Sequence, residues 1–150
     1  MGNLARTART GGRAMPDVLE VARLWIGTPY VLGAALRGAG CDCVGLVRGV
    51  WSEYTGQPVP AAPPWRADWA NNSARPLVAA ARQYLIPKDP QAAGPGDVVV
   101  LRVQGAREAH CGILEDGDQL IHAMETVGVV RVPFNAYRPA VAYAASFPLP

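Results

Sequence analysis

Cys43, His110 and His122 have the residue types and the spacing that nucleophilic acyl chemistry needs. Cys43 sits in the run Cys41-Asp42-Cys43-Val44-Gly45-Leu46, after a glycine-rich approach (Gly33, Gly38, Gly40). Beyond it Val44, Val47, Val50, Trp51 and Tyr54 recur three and four residues apart, the period of one buried helix face. Gly56 and Pro58 then stop the run, as a C-terminal glycine and a following proline should. The pattern predicts a helix with Cys43 in its first turn. There the unpaired N–H groups and the helix dipole favour thiolate over thiol.

A thiolate nucleophile needs a base, and the chain has only two histidines. His110 and His122 fall in predicted strands on either side of the turn Glu115-Asp116-Gly117-Asp118. A hairpin centred on Asp116 pairs residues whose numbers sum to 232, as 110 and 122 do. The two rings would then lie opposite each other on one face, with Cβ atoms about 5 Å apart. That requires an odd loop, such as three residues with a left-handed glycine. A two-residue loop would put the rings on opposite faces. In this arrangement one histidine takes the thiol proton and later hands it to the leaving amine, while the other fixes the tautomer of the first.

Spacing alone leaves alternatives open. The histidines could be hydrogen-bonded core residues and Cys43 a small buried hydrophobe. Cys41, Cys43, Cys111, His110 and His122 could instead build a zinc site, although Cys-x-Cys with strand histidines lacks the usual paired-ligand spacing. Cys41 and Cys111 read as packing residues, and Glu115, Asp116 and Asp118 as a solvated turn.

These side chains need elements to hold them. Met15 to Trp25 is predicted as a first helix, with Val18, Val21, Ala22 and Trp25 on one face and Gly27 and Pro29 ending it. Thr28 to Gly40 is a loop containing Tyr30. The prolines from Gln57 to Pro76, with Trp65 and Trp69 as anchors, mark an extended connection across the surface. A short helix from Leu77 to Leu85 follows Asn72-Ser73 as caps, and Pro87 to Gly96 forms a break. β-Branched runs then predict strands at Asp97–Val103 (bounded by a Gln104-Gly105 turn), Ala109–Leu114, Gln119–Met124, Val127–Val132 and Val141–Phe147. Helices first and strands after them predict an α+β domain, with N-terminal helices packed on one face of an antiparallel β-sheet. Residues 1–14 are expected to form a flexible arm and 15–150 a single domain.

Composition narrows the classes. Half of the 150 residues are apolar, yet no run approaches the roughly 18 needed to span a bilayer, so no membrane insertion is expected. A net charge of +2 gives no electrostatic footprint for nucleic acid. The opening segment carries Arg6, Arg9 and Arg13 but lacks the hydrophobic centre of a signal peptide. Three cysteines cannot form a complete disulfide framework, and Cys41 and Cys43 are too close for an unstrained bridge. Free thiols and no signal peptide imply synthesis in a reducing cytoplasm. Neither a metal nor a cofactor is expected.

Four ordered segments carry a resemblance: Asp42-Cys43-Val44-Gly45-Leu46-Val47, Pro95-Gly96-Asp97-Val98, His110-Cys111-Gly112-Ile113 and Ile121-His122-Ala123. With the upstream Gly27-Thr28-Pro29-Tyr30, they resemble the motifs of NlpC/P60 cysteine peptidases over about Asp17 to Pro148. The run from Cys41 to Trp51 is most similar to that of the compact tail-associated cell-wall peptidases of phages and gene transfer agents. The resemblance implies a papain-like NlpC/P60 fold that hydrolyses peptidoglycan stem peptides, typically at the γ-D-glutamyl–meso-diaminopimelate bond; the alternatives are a structural tail or baseplate component with a degenerate site, or an amidase or acyl transferase on the same scaffold. It implies Cys43 as nucleophile, His110 as base and His122 as orienter. It also implies Tyr30 as a hydroxyl for substrate or oxyanion, and Asp42 as a contact for the stem peptide's free amino end. Val44 stands where many members have a substrate-contacting serine, which bears on stem-peptide preference. No SH3-like or LysM-like wall-binding module accompanies the motifs, so delivery by tail hub or baseplate proteins is expected. The implied setting is a virion or gene-transfer-agent tail tip acting on the target cell's wall.

Overall fold

The computed structural model describes residues 17–63, 75–103 and 107–150. The expected arm at 1–14, the anchors Trp65 and Trp69, the caps Asn72-Ser73 and the Gln104-Gly105 turn lie outside the described residues.

Helix α1 (Val18–Leu24) starts two residues after Pro16 because Asp17 and Glu20 form a capping box. The Asp17 carboxylate accepts from Leu19 N, and Glu20 Oε1 accepts from Asp17 N at 3.2 Å. Leu19, Val21 and Ala22 are buried, and so is Trp25 at the helix end. Two short strands, β1 (Ala35–Leu36) and β2 (Gly40–Cys41), then form a small antiparallel hairpin that leads into α2 (Cys43–Thr55). Gly56, in the left-handed conformation at φ 79°, ends α2 as expected.

The buried stripe of α2 is wider than its valine periodicity predicts. Leu46 and Val50 are buried deepest and Cys43 and Trp51 are also buried, while Val44, Val47 and Tyr54 are only partly covered. The helix is enclosed on several sides, and two glycines permit the closest approaches. A Cβ at Gly49 would lie 2.0 Å from the Trp25 indole, and one at Gly45 only 1.8 Å from the Ala34 carbonyl oxygen.

Helix α3 (Pro76–Tyr84) begins after Arg75, which is left-handed at φ 52° and supplies no side-chain cap. The Arg75 guanidinium instead pairs with Glu108 at 2.7 Å. The Tyr84 carbonyl accepts from Trp51 Nε1 at 3.1 Å, which ties α3 to α2.

The sheet has six antiparallel strands in the order β3-β8-β4-β5-β6-β7. They are β3 (Ile86–Lys88), β4 (Val98–Val103), β5 (Arg107–Glu115), β6 (Gln119–Met124), β7 (Gly128–Pro133) and β8 (Val141–Ser146). The expected break from Pro87 thus contains a strand. β3 adds to β8 at the sheet edge, the one place where Pro87 needs no outer N–H donor. The helices cover one face with the main core, as expected for an α+β domain. The other face carries a smaller cluster of Val99, Leu101, Leu114, Leu120, Phe134 and Ala144.

The acidic turn also differs from expectation. Glu115 is only 4% exposed and bonds Arg23 and Arg131, pinning α1 to the sheet. Among the described residues, no helix is long and apolar enough to cross a membrane.

Candidate active site

Asp42 is the N-cap of α2 and sets the position of Cys43. One carboxylate oxygen accepts from Gly45 N at 2.6 Å, and the other accepts from Gly33 N at 2.7 Å. Both bonds are charge-assisted and tie the glycine-rich loop to the helix start. Leu46 N bonds the Asp42 carbonyl, and Asp42 N bonds Ala34. Among the described residues the N–H groups of Cys43 and Val44 have no acceptor.

Cys43 is 9% exposed, and its thiol is lowered from 9.0 to about 5. A hydrogen bond from the Cys111 thiol contributes most, followed by a hydrogen bond from His110 and its charge; burial and the Asp42 charge oppose them. The same bond, with complete burial, pushes the Cys111 thiol far up. The direction is toward thiolate at Cys43 and toward thiol at Cys111. The Cys111 thiol donates to the Cys43 carbonyl oxygen at 3.3 Å. Sequence reasoning read Cys111 as packing. The available signal was strand alternation: the neighbour of an inward-reaching histidine points to the opposite face, here the face under α2.

His110 follows a β-bulge. Leu101 pairs with His110 but Arg102 pairs with Glu108, so Ala109 is the extra residue. Such a bulge re-aims the side chain beside it.

The β5–β6 register corrects the predicted one. Ile113 pairs with Ile121, and Glu115 with Gln119, so the hairpin is centred on Gly117 and not on Asp116. His110 and His122 are therefore diagonal neighbours rather than direct partners. The loop still has three residues, with Gly117 and Asp118 both left-handed, so both rings keep one face. His110 Nε2 lies 2.8 Å from His122 Nδ1, with the rings at 70°. A side chain at Gly112 would press on Ile121 O and His122 Cβ, which leaves glycine as the residue that admits the His122 ring. Burial, then the charge of His110, lowers His122 to about 4, so it is neutral at pH 7.

Tyr30 is held beside this group by a parallel bridge to Cys41. Burial, then the nearby Cys43 and Asp42 charges, raise its hydroxyl to about 12, so it stays a donor. Cys41 is fully buried and its thiol is likewise pushed up to about 12, chiefly by burial. Val44 is half-buried and lines a small apolar cavity of about 70 Å³ with Val47, Leu77, Ala81 and Cys111. Among the described residues no group of three or more His, Cys, Asp or Glu side chains could hold a metal ion.

The structure thus brings Tyr30, Asp42, Cys43, His110 and His122 together. The NlpC/P60 family model matches residues 27–142, which include all of them. The chain belongs to the NlpC/P60 family. The NlpC/p60 domain of the peptidoglycan hydrolase SagA is similar at 25% identity over 86% of this chain and 95% of that one, with a TM-score of 0.60. An NlpC/P60 family protein from Bacillus cereus is similar at 18% identity, covering 92% of this chain and 41% of that one, with a TM-score of 0.62. The peptidoglycan hydrolase RipB from Mycobacterium tuberculosis is similar at 18% identity, covering 97% of this chain and 70% of that one, with a TM-score of 0.57. The last two likenesses bear on the fold, and the chain spans less than half of the Bacillus cereus protein. No curated protein sequence matches the chain. The NlpC/P60 papain-like α+β fold is the one expected from the sequence.

Proposed function

We propose that this NlpC/P60 protein is a cysteine peptidase of the cell wall that cleaves peptidoglycan stem peptides. One observation carries the reading: Cys43 at the start of α2, its thiol drawn toward thiolate beside His110, which in turn meets His122 at 2.8 Å. The peptidoglycan hydrolase SagA, whose domain is similar over most of both chains, supports the substrate class.

In this mechanism Cys43 attacks the scissile carbonyl, and His110 protonates the leaving amine. The acyl-enzyme is then released by water that His110 deprotonates. Developing negative charge on the carbonyl oxygen meets the free N–H groups at the start of α2 and the Tyr30 hydroxyl. Asp42 keeps lone pairs for the substrate's amino end although both of its oxygens hold backbone donors. With Val44 in place of a hydroxyl residue, that subsite is apolar. The bond we assign is γ-D-glutamyl–meso-diaminopimelate, and the setting a phage-like tail that opens the wall locally from the outside. The Cys41–Trp51 run supports that setting.

The test is digestion of defined stem tri- and tetrapeptides by the protein and its Cys43→Ala variant, read by mass spectrometry. Release of an Ala-Glu dipeptide by the wild type alone is expected. Equal release by both proteins would overturn the mechanism, and a different product would overturn the assigned bond.

A further inference from the structure

His122 is 2% exposed, and its Nε2 atom is buried without an oxygen or nitrogen partner among the described residues. An unmade bond on so buried a polar atom is costly, so a weaker acceptor is expected to face it.

His110 must pass through an imidazolium state if it serves Cys43, and this inference rests on that reading. With Nε2 of His110 at 2.8 Å from Nδ1 of His122, the other ring nitrogen of His110 is left for Cys43. An imidazolium carries N–H on both nitrogens. His122 Nδ1 must then be an acceptor, and a neutral histidine that accepts at Nδ1 carries its proton on Nε2. That proton therefore sits on the orphaned buried atom.

Among the described residues, one ring besides His110 packs on His122. Tyr137 lies with its centroid 5.4 Å away and its plane at 70°, the edge-to-face arrangement. An aromatic face carries negative quadrupole charge and accepts N–H donors.

We propose that Tyr137 is a positioning residue of this site: its ring face accepts the Nε2–H of His122. It thereby holds the tautomer that presents Nδ1 to His110. Tyr137 touches no reacting atom and acts only through His122. Its hydroxyl has no part in the role, so Phe serves in its place. It lies in the short connection between β7 and β8, beside Phe134 of the smaller core cluster. That connection therefore reaches the catalytic group from the face opposite the helices.

The test is nitrogen NMR of histidine-labelled protein at neutral pH, for the wild type, Tyr137→Phe and Tyr137→Leu. The wild type and Tyr137→Phe are expected to show His122 protonated at Nε2, with that proton shifted upfield by the ring current. Tyr137→Leu keeps apolar bulk and is expected to lose the upfield shift and populate both tautomers. Its kcat on a cleaved stem peptide should fall about two- to fivefold with KM unchanged. Wild-type His122 protonated at Nδ1 would overturn the proposal. So would a Tyr137→Leu protein that keeps the upfield Nε2–H. These spectra need no substrate, so they decide the proposal even where the proposed cleavage fails. Circular dichroism checks that Tyr137→Leu is folded; if it is not, Tyr137→Met takes its place.

Discussion

Glu115→Gln should weaken the fold in a way that fades in acid. The Glu115 carboxylate accepts from Arg23 Nη2 at 2.6 Å and Nε at 2.9 Å, from Arg131 Nε at 3.3 Å and from Asp116 N at 2.8 Å. These donors, Arg23 foremost, hold its carboxyl at about 2 against an ordinary 4.5. At 1.36 kcal/mol per pH unit that difference corresponds to at most about 3 kcal/mol. Arg23 and Arg131 are each more than a third exposed, and solvent screening brings the contribution to roughly 1–2 kcal/mol. A glutamine keeps the shape but loses the charge, so the midpoint of thermal unfolding should fall by about 3–6 °C at pH 7. The folded carboxyl is the stronger acid, so its stabilisation is complete above the unfolded value of 4.5 and disappears as pH falls through about 2. Urea unfolding of both proteins from pH 7 down to pH 2 would show the gap closing. A gap of constant size across that range would refute the electrostatic account and leave only packing.

Three further outcomes follow from the geometry. Alkylation of Cys43 by iodoacetamide should rise with a midpoint near pH 5, and Cys111→Ala should move that midpoint upward; an unmoved midpoint would remove Cys111 from the account of the thiolate. Gly49→Ala must displace the Trp25 indole, at a cost of about 1–3 kcal/mol in denaturant unfolding, and a cost near zero would show that the indole yields freely. Asp42→Ala should lose about 1 kcal/mol with the helix cap and speed hydrogen exchange at Gly33 and Gly45; unchanged exchange at both amides would mean that the carboxylate does not hold the loop.

The legible parts of the sequence were those governed by local period and punctuation. α2 was readable because its apolar residues keep the helical period and Gly56 and Pro58 close it. That both histidine rings would share a face was readable because it depends only on the parity of the loop. The register was not. Asp118 adopts a left-handed conformation and Glu115 pairs with Gln119, which moves the hairpin centre from Asp116 to Gly117. The burial of Glu115 depends on Arg23, 92 residues away, and no local pattern reports such a partner. β3 was hidden by Pro87, which reads as a break unless its place at the sheet edge is known. The part of Cys111 was hidden because a buried thiol and a thiol beside a thiolate look alike in sequence.

The loop that carries Tyr30 has a second consequence through Gly128. Val129 donates its N–H to Thr28 and accepts from Gly27 N at 2.9 Å, while Gly128 has no side chain to collide with Thr28. At Val129 the outer edge of β7 is thus already paired with the chain's own backbone. At the opposite border β3 is three residues long and interrupted by proline. Neither border offers a long row of unpaired amides to another extended chain. The fold is guarded against edge-to-edge aggregation, and on the β7 side the guard is the same loop that carries Tyr30. A mutation that loosens that loop for a bulkier substrate would also bare a β-strand, so a gain in access would come with a loss of solubility.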